Sequence, residues 1–533
     1  MYPEYLFETS WEVCNMMGGI YTVLSTKAAT LSTHLGDKLV FIGPDVWENK
    51  KNPYFEEDST LLSDWKNFAK TNSGLNIRIG RWKIPGTPIA VLVDFQPLFA
   101  QKDDIYSDMW LRFGINSIAA YGDYDECAMF SIAAGTIVES YYKFFGLNKK
   151  NKVVAHFNEW QTAFGVFYVK KNLPNVKTVF TTHATTIGRS IAGNHKPLYN
   201  YLTEYNGDQM AQELNVVSKH SAEKTAAHVA DSFTTVSEIT ARECKYLLEK
   251  EPLVTPNGFE DDFVPKKNVF NKKRKEARES LRNVAEKLLG YTLPEDALFV
   301  GTAGRYEYKN KGIDVFVEAM KHTAELNTLG KTVVAFIMVP AHISGARKDL
   351  AAVLQQPEQK LYSWNRFTTH ELYDYNNDNV MSVLRWFYLT NQEHERVKVI
   401  FVPSYLNGAD GIFNRSYYQL LIGMDLTIFP SYYEPWGYTP LESVAFKIPT
   451  ITTDLSGFGQ WVSPTPQGIE TGVGIIHRTD YNAYDVAKDI AQMLAVFSNF
   501  SDKQIAETRK NAAEIAEKAL WKHFIQHYEK AYK

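Results

Sequence analysis

Two glutamates, Glu434 and Glu442, stand with seven residues between them in Ser431-Tyr-Tyr-Glu-Pro-Trp-Gly-Tyr-Thr-Pro-Leu-Glu442. The residues around them supply a bend. Leu426 to Pro430 reads as a short buried strand, and Leu441 to Phe446 as a helix that stops before Pro449. The segment is therefore one βα turn of a parallel sheet, with Glu434 in the crevice at the carboxyl edge of the strands, where ligands bind, and Glu442 opening the helix. Thr439-Pro440-Leu441-Glu442 also fits a capping box, with Thr439 at N-cap, Pro440 at N1 and Glu442 folding back from N3. Both roles can coexist, because a helix N-terminus points free N–H groups at the same ligand. Glu434 has no capping role, and packing does not readily explain a carboxylate between Tyr433 and Pro435 beside Trp436.

Other groups able to do chemistry fall at similar places. Gly304-Arg-Tyr-Glu-Tyr-Lys-Asn-Lys-Gly312 ends a strand and begins a helix, putting Arg305 and Lys311 at a crevice edge; the alternative is ordinary solvated charge. Gly18-Gly19 follow the strand-like Tyr5 to Thr9 and open the helical run Ile20 to Leu31. Backbone there can approach an anion at a positive helix end, or simply start the helix. His156-Phe-Asn-Glu159-Trp160 and Thr182-His183-Ala-Thr-Thr-Ile-Gly188-Arg189 each end a strand, but neither histidine has a second ligand at zinc spacing. Asp123-Tyr124-Asp125 mimics a DxD metal motif, yet it precedes the apolar stretch Cys127 to Val138 and is better explained as an N-cap with an acidic first turn.

The Glu-(seven residues)-Glu pattern resembles retaining nucleotide-sugar glycosyltransferases of the two-Rossmann (GT-B) architecture. The longer string Phe429 to Glu442, followed by Thr453-Asp-Leu-Ser-Gly-Phe-Gly459, resembles the animal and fungal type of glycogen synthase, as does Phe7-Glu-Thr9 with Glu12-Val13 and Gly18-Gly-Ile-Tyr21. The resemblance runs from Phe7 to about Ile476. It implies transfer of glucose from a nucleotide diphosphate glucose, UDP-glucose favoured, to the nonreducing end of an α-1,4-glucan with retention. Glu434 would position or stabilise the reacting sugar. Arg305 and Lys311 would neutralise the leaving diphosphate, which develops negative charge as the sugar becomes oxocarbenium-like. Gly18 and Gly19 would cover diphosphate and glucose, His183 and Arg189 would lie against the donor, and Glu159 with Trp160 would line the cleft. Tyr417 would stack on the base, Glu442 would meet the ribose hydroxyls, and Asn257 with Gly258 would form an interdomain turn. Trp436, Gly437 and Tyr438 complete the donor-side set. The family has histidine where Asn158 stands, which leaves that position without an assigned role. With two cations at the diphosphate, no metal and no cofactor is expected.

Rival readings predict different residues. A phosphorylase would need a cofactor-bearing lysine motif, and none is found. A glucosyltransferase with a sucrose-type acceptor shares the donor machinery. A noncatalytic glycogen-binding scaffold would have lost Glu434 or the charged pair, and all three are present.

A chain of 533 residues, 45% hydrophobic and 22% charged, suits two or three ordinary globular domains. A net charge of -4 gives no reason to expect nucleic acid or an anionic membrane. Cys14, Cys127 and Cys244 are scattered and odd in number, which fits a reducing cytoplasm. Met1 to Glu8 lacks the features of a signal peptide, and no later run is apolar enough to span a membrane. Strand-like runs at 38–42, 89–93, 153–156, 178–182 and 233–236 alternate with helical stretches, and the alternation restarts at 297–304 and continues through 333–340, 397–403, 426–430 and 450–453. The expected fold is α/β: two doubly wound Rossmann-like domains facing a central cleft. The first would span 1–265, completed by a C-terminal helix 505–533, and the second 266–504. The basic run Lys266 to Arg282 leads into a helix ended by Gly290 and reads as its solvated face. An insertion at about 341–396 corresponds in place to the family's subunit-contact segment but is shorter, so a homo-oligomer stays an open expectation.

In the resembling family, phosphorylated terminal extensions and an arginine-rich helix that binds glucose 6-phosphate regulate activity. Here the chain begins near its first strand and ends at Lys533, and Asp502 to Lys522 holds Arg509 as its only arginine. The expectation is constitutive activity, insensitive to glucose 6-phosphate.

Overall fold

The computed structural model describes residues 2–47 and 50–533; Met1, where the expected first domain begins, lies outside them with Glu48 and Asn49. The chain divides into two compact units, Met1–Glu260 with Ala519–Lys533, and Asp261–Lys518.

In the first unit a nine-stranded sheet is formed by β1 (Tyr5–Thr9), β2 (Leu39–Pro44), β3 (Phe55–Glu57), β4 (Asn76–Trp82), β5 (Ile89–Asp94), β6 (Val153–Asn158), β7 (Lys177–Thr182), β8 (Ser232–Thr235) and β9 (Leu253–Val254). The order is β3-β4-β5-β2-β1-β6-β7-β8-β9. All neighbours run parallel except β3 with β4 and β4 with β5, an antiparallel edge the sequence did not announce. The edge has its own reason: Gly80 lies so close to β3 that an added Cβ would stand 2.0 Å from the carbonyl oxygen of Glu56.

The second unit carries a wholly parallel sheet of β10 (Leu298–Ala303), β11 (Val333–Met338), β14 (Val397–Val402), β15 (Leu426–Phe429), β16 (Thr450–Thr453) and β17 (Val473–Ile476), in the order β14-β11-β10-β15-β16-β17. Between β11 and β14 a separate antiparallel pair, β12 (Ile343–Ala346) and β13 (His370–Leu372), belongs to the 341–396 insertion. The apolar runs are continuous because both faces of the sheet are covered. Val333, Ala335 and Ile337 join one apolar layer, while Val334, Phe336 and Met338 join the other.

The stretch read as one C-terminal helix is two, Asp502–Lys518 and Trp521–Tyr532, parted at the extended residue Leu520. Trp521 N–H donates to Phe259 O at 3.2 Å, and the indole lies on Gly258, where an added Cβ would come within 2.6 Å of the ring. The basic run also departs from expectation. Its lysines 272, 273 and 275 are exposed. Its arginines instead fasten the chain: Arg274 donates to the carbonyls of Ile422 and Met424 and to Asp425, Arg278 to Gly423 O and Asp425, and Arg282 to carbonyls at Leu293, Pro294 and Glu295. A planar guanidinium can satisfy several carbonyls at once where an ammonium cannot.

Candidate active site

The carboxyl edge of the second sheet is assembled from two loops locked together by backbone. Tyr432 and Tyr433 N–H both donate to Asn310 O, at 2.9 and 3.1 Å. Gly312 has φ +71°, and a Cβ there would fall 2.0 Å from Pro430 O, so only glycine lets the loops meet. This brings Lys311 Nζ to 2.6 Å from Glu434 Oε2, with 18% and 12% of the two side chains exposed. Ser431 Oγ donates to the same oxygen at 3.4 Å. The Glu434 loop is tied on its other side to the turn after β16: Gly457 N–H donates to Glu434 O at 3.0 Å, and Phe458 N–H and Ser456 Oγ–H donate to Trp436 O at 2.7 and 3.0 Å. A half-buried carboxylate is thus held against one ammonium on a rigid frame. Arg305 is exposed and pairs with Glu307 at 2.8 Å.

Glu442 does not serve as the capping-box residue expected of it. The helix is Tyr438–Ala445 with Gly437 at N-cap (φ 114°), no side chain caps it, and Thr439 lies inside the first turn. Pro440 with its fixed φ still suits a first turn, but the helix starts earlier because Gly437 can take the left-handed turn. Glu442 therefore points from the second turn into a cavity of about 460 Å³, whose lining includes Gly304 from the end of β10, Met338 from the end of β11, Ser404, Tyr417 and Tyr418. Burial pushes its carboxyl up to about 7, against a lowering hydrogen bond from Tyr418. The Tyr417 hydroxyl is buried without a hydrogen-bond partner. An apolar recess with one carboxylate and an unpaired hydroxyl at the carboxyl ends of parallel strands suits an aromatic ring bearing a polar edge.

In the first unit the strand ends carry the other expected residues. Gly18 and Gly19 are exposed at the start of the helix Gly19–Leu35, and the carboxylate of Glu12 accepts from Gly18 N–H at 2.9 Å and Tyr21 N–H at 2.8 Å. Glu159, just after β6, has φ 74° and ψ 163°, a region almost reserved for glycine, and a buried carboxyl raised to about 8 by burial and then by Glu223, with Arg189 opposing. Glu159 Oε2 accepts the His183 N–H at 3.2 Å. Burial pushes the His183 imidazole down to about 3, with Lys27 and His156 adding to it. Arg189 is exposed on the helix Thr186–Gly193, whose N-cap is Thr185. Asn257 is buried, its Oδ1 without a hydrogen-bond partner. Asp123 and Asp125 do not converge on a shared point: Asp123 pairs with Lys219 at 2.7 Å, while Asp125 accepts from Lys102 at 3.0 Å and Tyr106 at 2.6 Å.

Sequence reasoning missed the carboxylates behind this edge. Thr182 Oγ1 donates to Glu223, Thr186 N–H reaches the same carboxylate at 2.8 Å, and Thr185 Oγ1 donates to the buried Glu243. Both glutamates come from helices far along the chain, with no local signature. The cationic surroundings of Arg509 were missed too. Arg509 shares a pocket of about 590 Å³ with Lys447 and Lys510, has an unpaired buried Nη1, and is pushed down to about 9 by burial and by Arg274, Asp425 opposing and Arg278 adding. The helix has one arginine, but Lys510 beside it and Lys447, just past the helix Tyr438–Ala445, join it in the pocket, with Asp502 as the acid among them.

The glycogen synthase family's sequence profile matches residues 8–356 and 358–533. The chain belongs to the glycogen synthase family. Among its relatives, the glycogen [starch] synthase of Neurospora crassa is 30% identical across 99% of this chain and 83% of its own length, and the human liver glycogen [starch] synthase is 30% identical across 99% and 82%. Isoform 1 of Saccharomyces cerevisiae is 29% identical across 99% and 85%. Solved structures with the same fold include the catalytic domain of starch synthase IV from Arabidopsis thaliana bound to ADP and acarbose, with TM-score 0.57 and 15% identity over 100% of this chain and 99% of that one. The trehalose-6-phosphate protein from E. coli bound with UDP-2-fluoro glucose gives TM-score 0.55 and 10% identity over 99% and 98%. The fold of this glycogen synthase family member is that of GT-B glycosyltransferases, as the resemblance of its motifs implies, and its parallel sheets are the α/β arrangement the strand pattern predicts. Among the described residues, no helix is long and apolar enough to cross a membrane.

Proposed function

We propose that this member of the glycogen synthase family transfers glucose from a nucleotide diphosphate glucose, UDP-glucose favoured, to the nonreducing 4-hydroxyl of an α-1,4-glucan with retention. The observation that carries the reading is the Lys311–Glu434 pair at 2.6 Å, fixed at a strand edge in the same unit as the recess containing Tyr417 and Glu442. The base enters the recess against Tyr417, and the ribose hydroxyls donate to Glu442. The diphosphate lies toward Lys311 and Arg305, whose charges oppose the negative charge that grows as the bond from the anomeric carbon to phosphate breaks. The glucan 4-oxygen bonds to the anomeric carbon on the face the phosphate leaves, and its proton passes to the departing phosphate oxygen. Configuration is thereby kept. Glu434, its charge compensated by Lys311, holds the reacting sugar; His183 and Arg189 of the first unit are the residues assigned to recognising the donor. The three buried thiols suit the cytoplasmic setting of such a reaction.

The test is direct: supply UDP-glucose or ADP-glucose with glycogen and measure α-1,4-linked incorporation. Transfer to glycogen, faster from UDP-glucose, is expected. Transfer only to a small sugar acceptor, or none from either donor, would overturn the reading.

A further inference from the structure

A chain of hydrogen bonds under the first unit's strand edge fixes more than position. Glu8 on β1 is fully buried, and its Oε1 accepts from Lys27 Nζ at 2.6 Å and Tyr532 Oη at 3.1 Å, with His156 Nδ1 at 3.3 Å. Burial alone would raise this carboxyl, but His156 and Lys27 outweigh it and hold it well below the usual carboxylate range, so Glu8 is ionised. The other oxygen, Oε2, faces Asn158 Nδ2 at 3.1 Å, and the same Nδ2 lies 3.2 Å from Thr9 O. An ionised carboxylate and a carbonyl can only accept. The NH₂ end of Asn158 must therefore face them, since the reversed amide would press its oxygen against two acceptors in a dry site.

With that end settled, Asn158 Oδ1 faces His183 Nε2 at 3.2 Å. An amide oxygen cannot donate, so the proton of that bond belongs to His183 Nε2. The ring is neutral, because burial, Lys27, His156 and Arg189 all disfavour its cation and only Glu8 favours it. Nδ1 is then left with a lone pair.

We infer that Asn158 is a positioning residue that holds His183 as its Nε2–H tautomer, leaving Nδ1 to accept a hydrogen bond from a hydroxyl of the donor sugar. The sugar half of this rests on the transfer reading above; the tautomer rests on the hydrogen bonds alone. It assigns His183 a selective task, for an acceptor nitrogen takes a sugar hydroxyl and refuses a group with no proton to give. The buried Glu8–Lys27 pair gains a purpose as well, since it orients the amide that orients the imidazole.

The experiment uses the full chain labelled with ¹⁵N-histidine, with His183 assigned by the signal lost in His183→Gln and followed by long-range ¹H–¹⁵N correlation. Wild-type protein is expected to show the Nε2–H pattern at His183, unchanged from pH 8 to pH 5. Asn158→Leu is expected to lose that preference and to lower kcat/KM by about tenfold, the size of one lost orienting hydrogen bond. An Nδ1–H pattern or a titrating ring in the wild type overturns the inference whether or not the variant folds, as does a folded Asn158→Leu with the tautomer intact. The tautomer present in a protein that transfers no glucose would sink the transfer reading and leave the lock standing.

Discussion

If the ribose hydroxyls donate to Glu442, nucleotide-sugar affinity must follow the ionisation of that carboxyl. Burial raises it to about 7. At pH 6 roughly one part in eleven is ionised and at pH 8 roughly ten in eleven, so the apparent dissociation constant should be about tenfold larger at pH 6, equivalent to about 1.4 kcal/mol. UDP-glucose is the right probe, because each of its phosphates has only one strongly acidic proton and does not titrate in this range. Calorimetric titration of the wild type from pH 6 to pH 8.5 should show affinity rising with pH and levelling above about pH 8, whereas Glu442→Gln should be weaker at pH 8 and flat throughout. The same shift has a consequence for the unliganded fold. A carboxyl raised on folding contributes stability that is present below its unfolded value and is lost as pH rises through the folded one. Glu442→Gln should therefore gain thermal stability over wild type at pH 8 and gain little at pH 5. A flat wild-type affinity profile, or a variant that keeps the wild-type slope, would refute the assignment of Glu442 to the ribose.

Glu434→Ala should lose turnover while retaining UDP-glucose binding by calorimetry; a near-normal transfer rate would remove Glu434 from the reaction. Excess chelator should leave activity intact, because Lys311 and Arg305 oppose the diphosphate charge, and loss restored by magnesium or manganese would contradict that. Gly312→Ala, whose Cβ would meet Pro430 O at 2.0 Å in a left-handed conformation, should cost about 2 kcal/mol or more in urea unfolding and displace Lys311; a variant as stable as the wild type would show that the loops adjust. The clustered cations around Arg509 reverse the expectation of indifference to sugar phosphates: glucose 6-phosphate should raise the melting temperature, and Arg509→Ala should abolish the effect. No shift in the wild type would return the argument to the single arginine of the helix.

Sequence by itself determined what short-range pattern can determine. The parallel strands were legible because both sheet faces are covered, leaving uninterrupted apolar runs such as Val333–Met338. The Glu434 turn and the glycine-bounded Arg305–Lys311 loop were legible because strand, loop and helix follow one another within a few residues. Where the outcome turned on partners remote in the chain, local pattern misled or stayed silent. Thr439-Pro-Leu-Glu442 has the spelling of a capping box, but Gly437 can adopt φ 114° and begins the helix two residues sooner, which turns Glu442 from a cap into a cavity carboxylate. Arg274 and Arg278 of the basic run look solvated in sequence and are recruited by carbonyls between 145 and 150 positions away. Asn158 had no role assigned from the sequence, where the resembling family has histidine. Its role emerges only when Glu8 and Thr9 from β1 face its amide, with Lys27 from the helix that follows β1 and Tyr532 from the last helix of the chain holding Glu8, because hydrogen-bond direction depends on which acceptors and donors surround an amide in space.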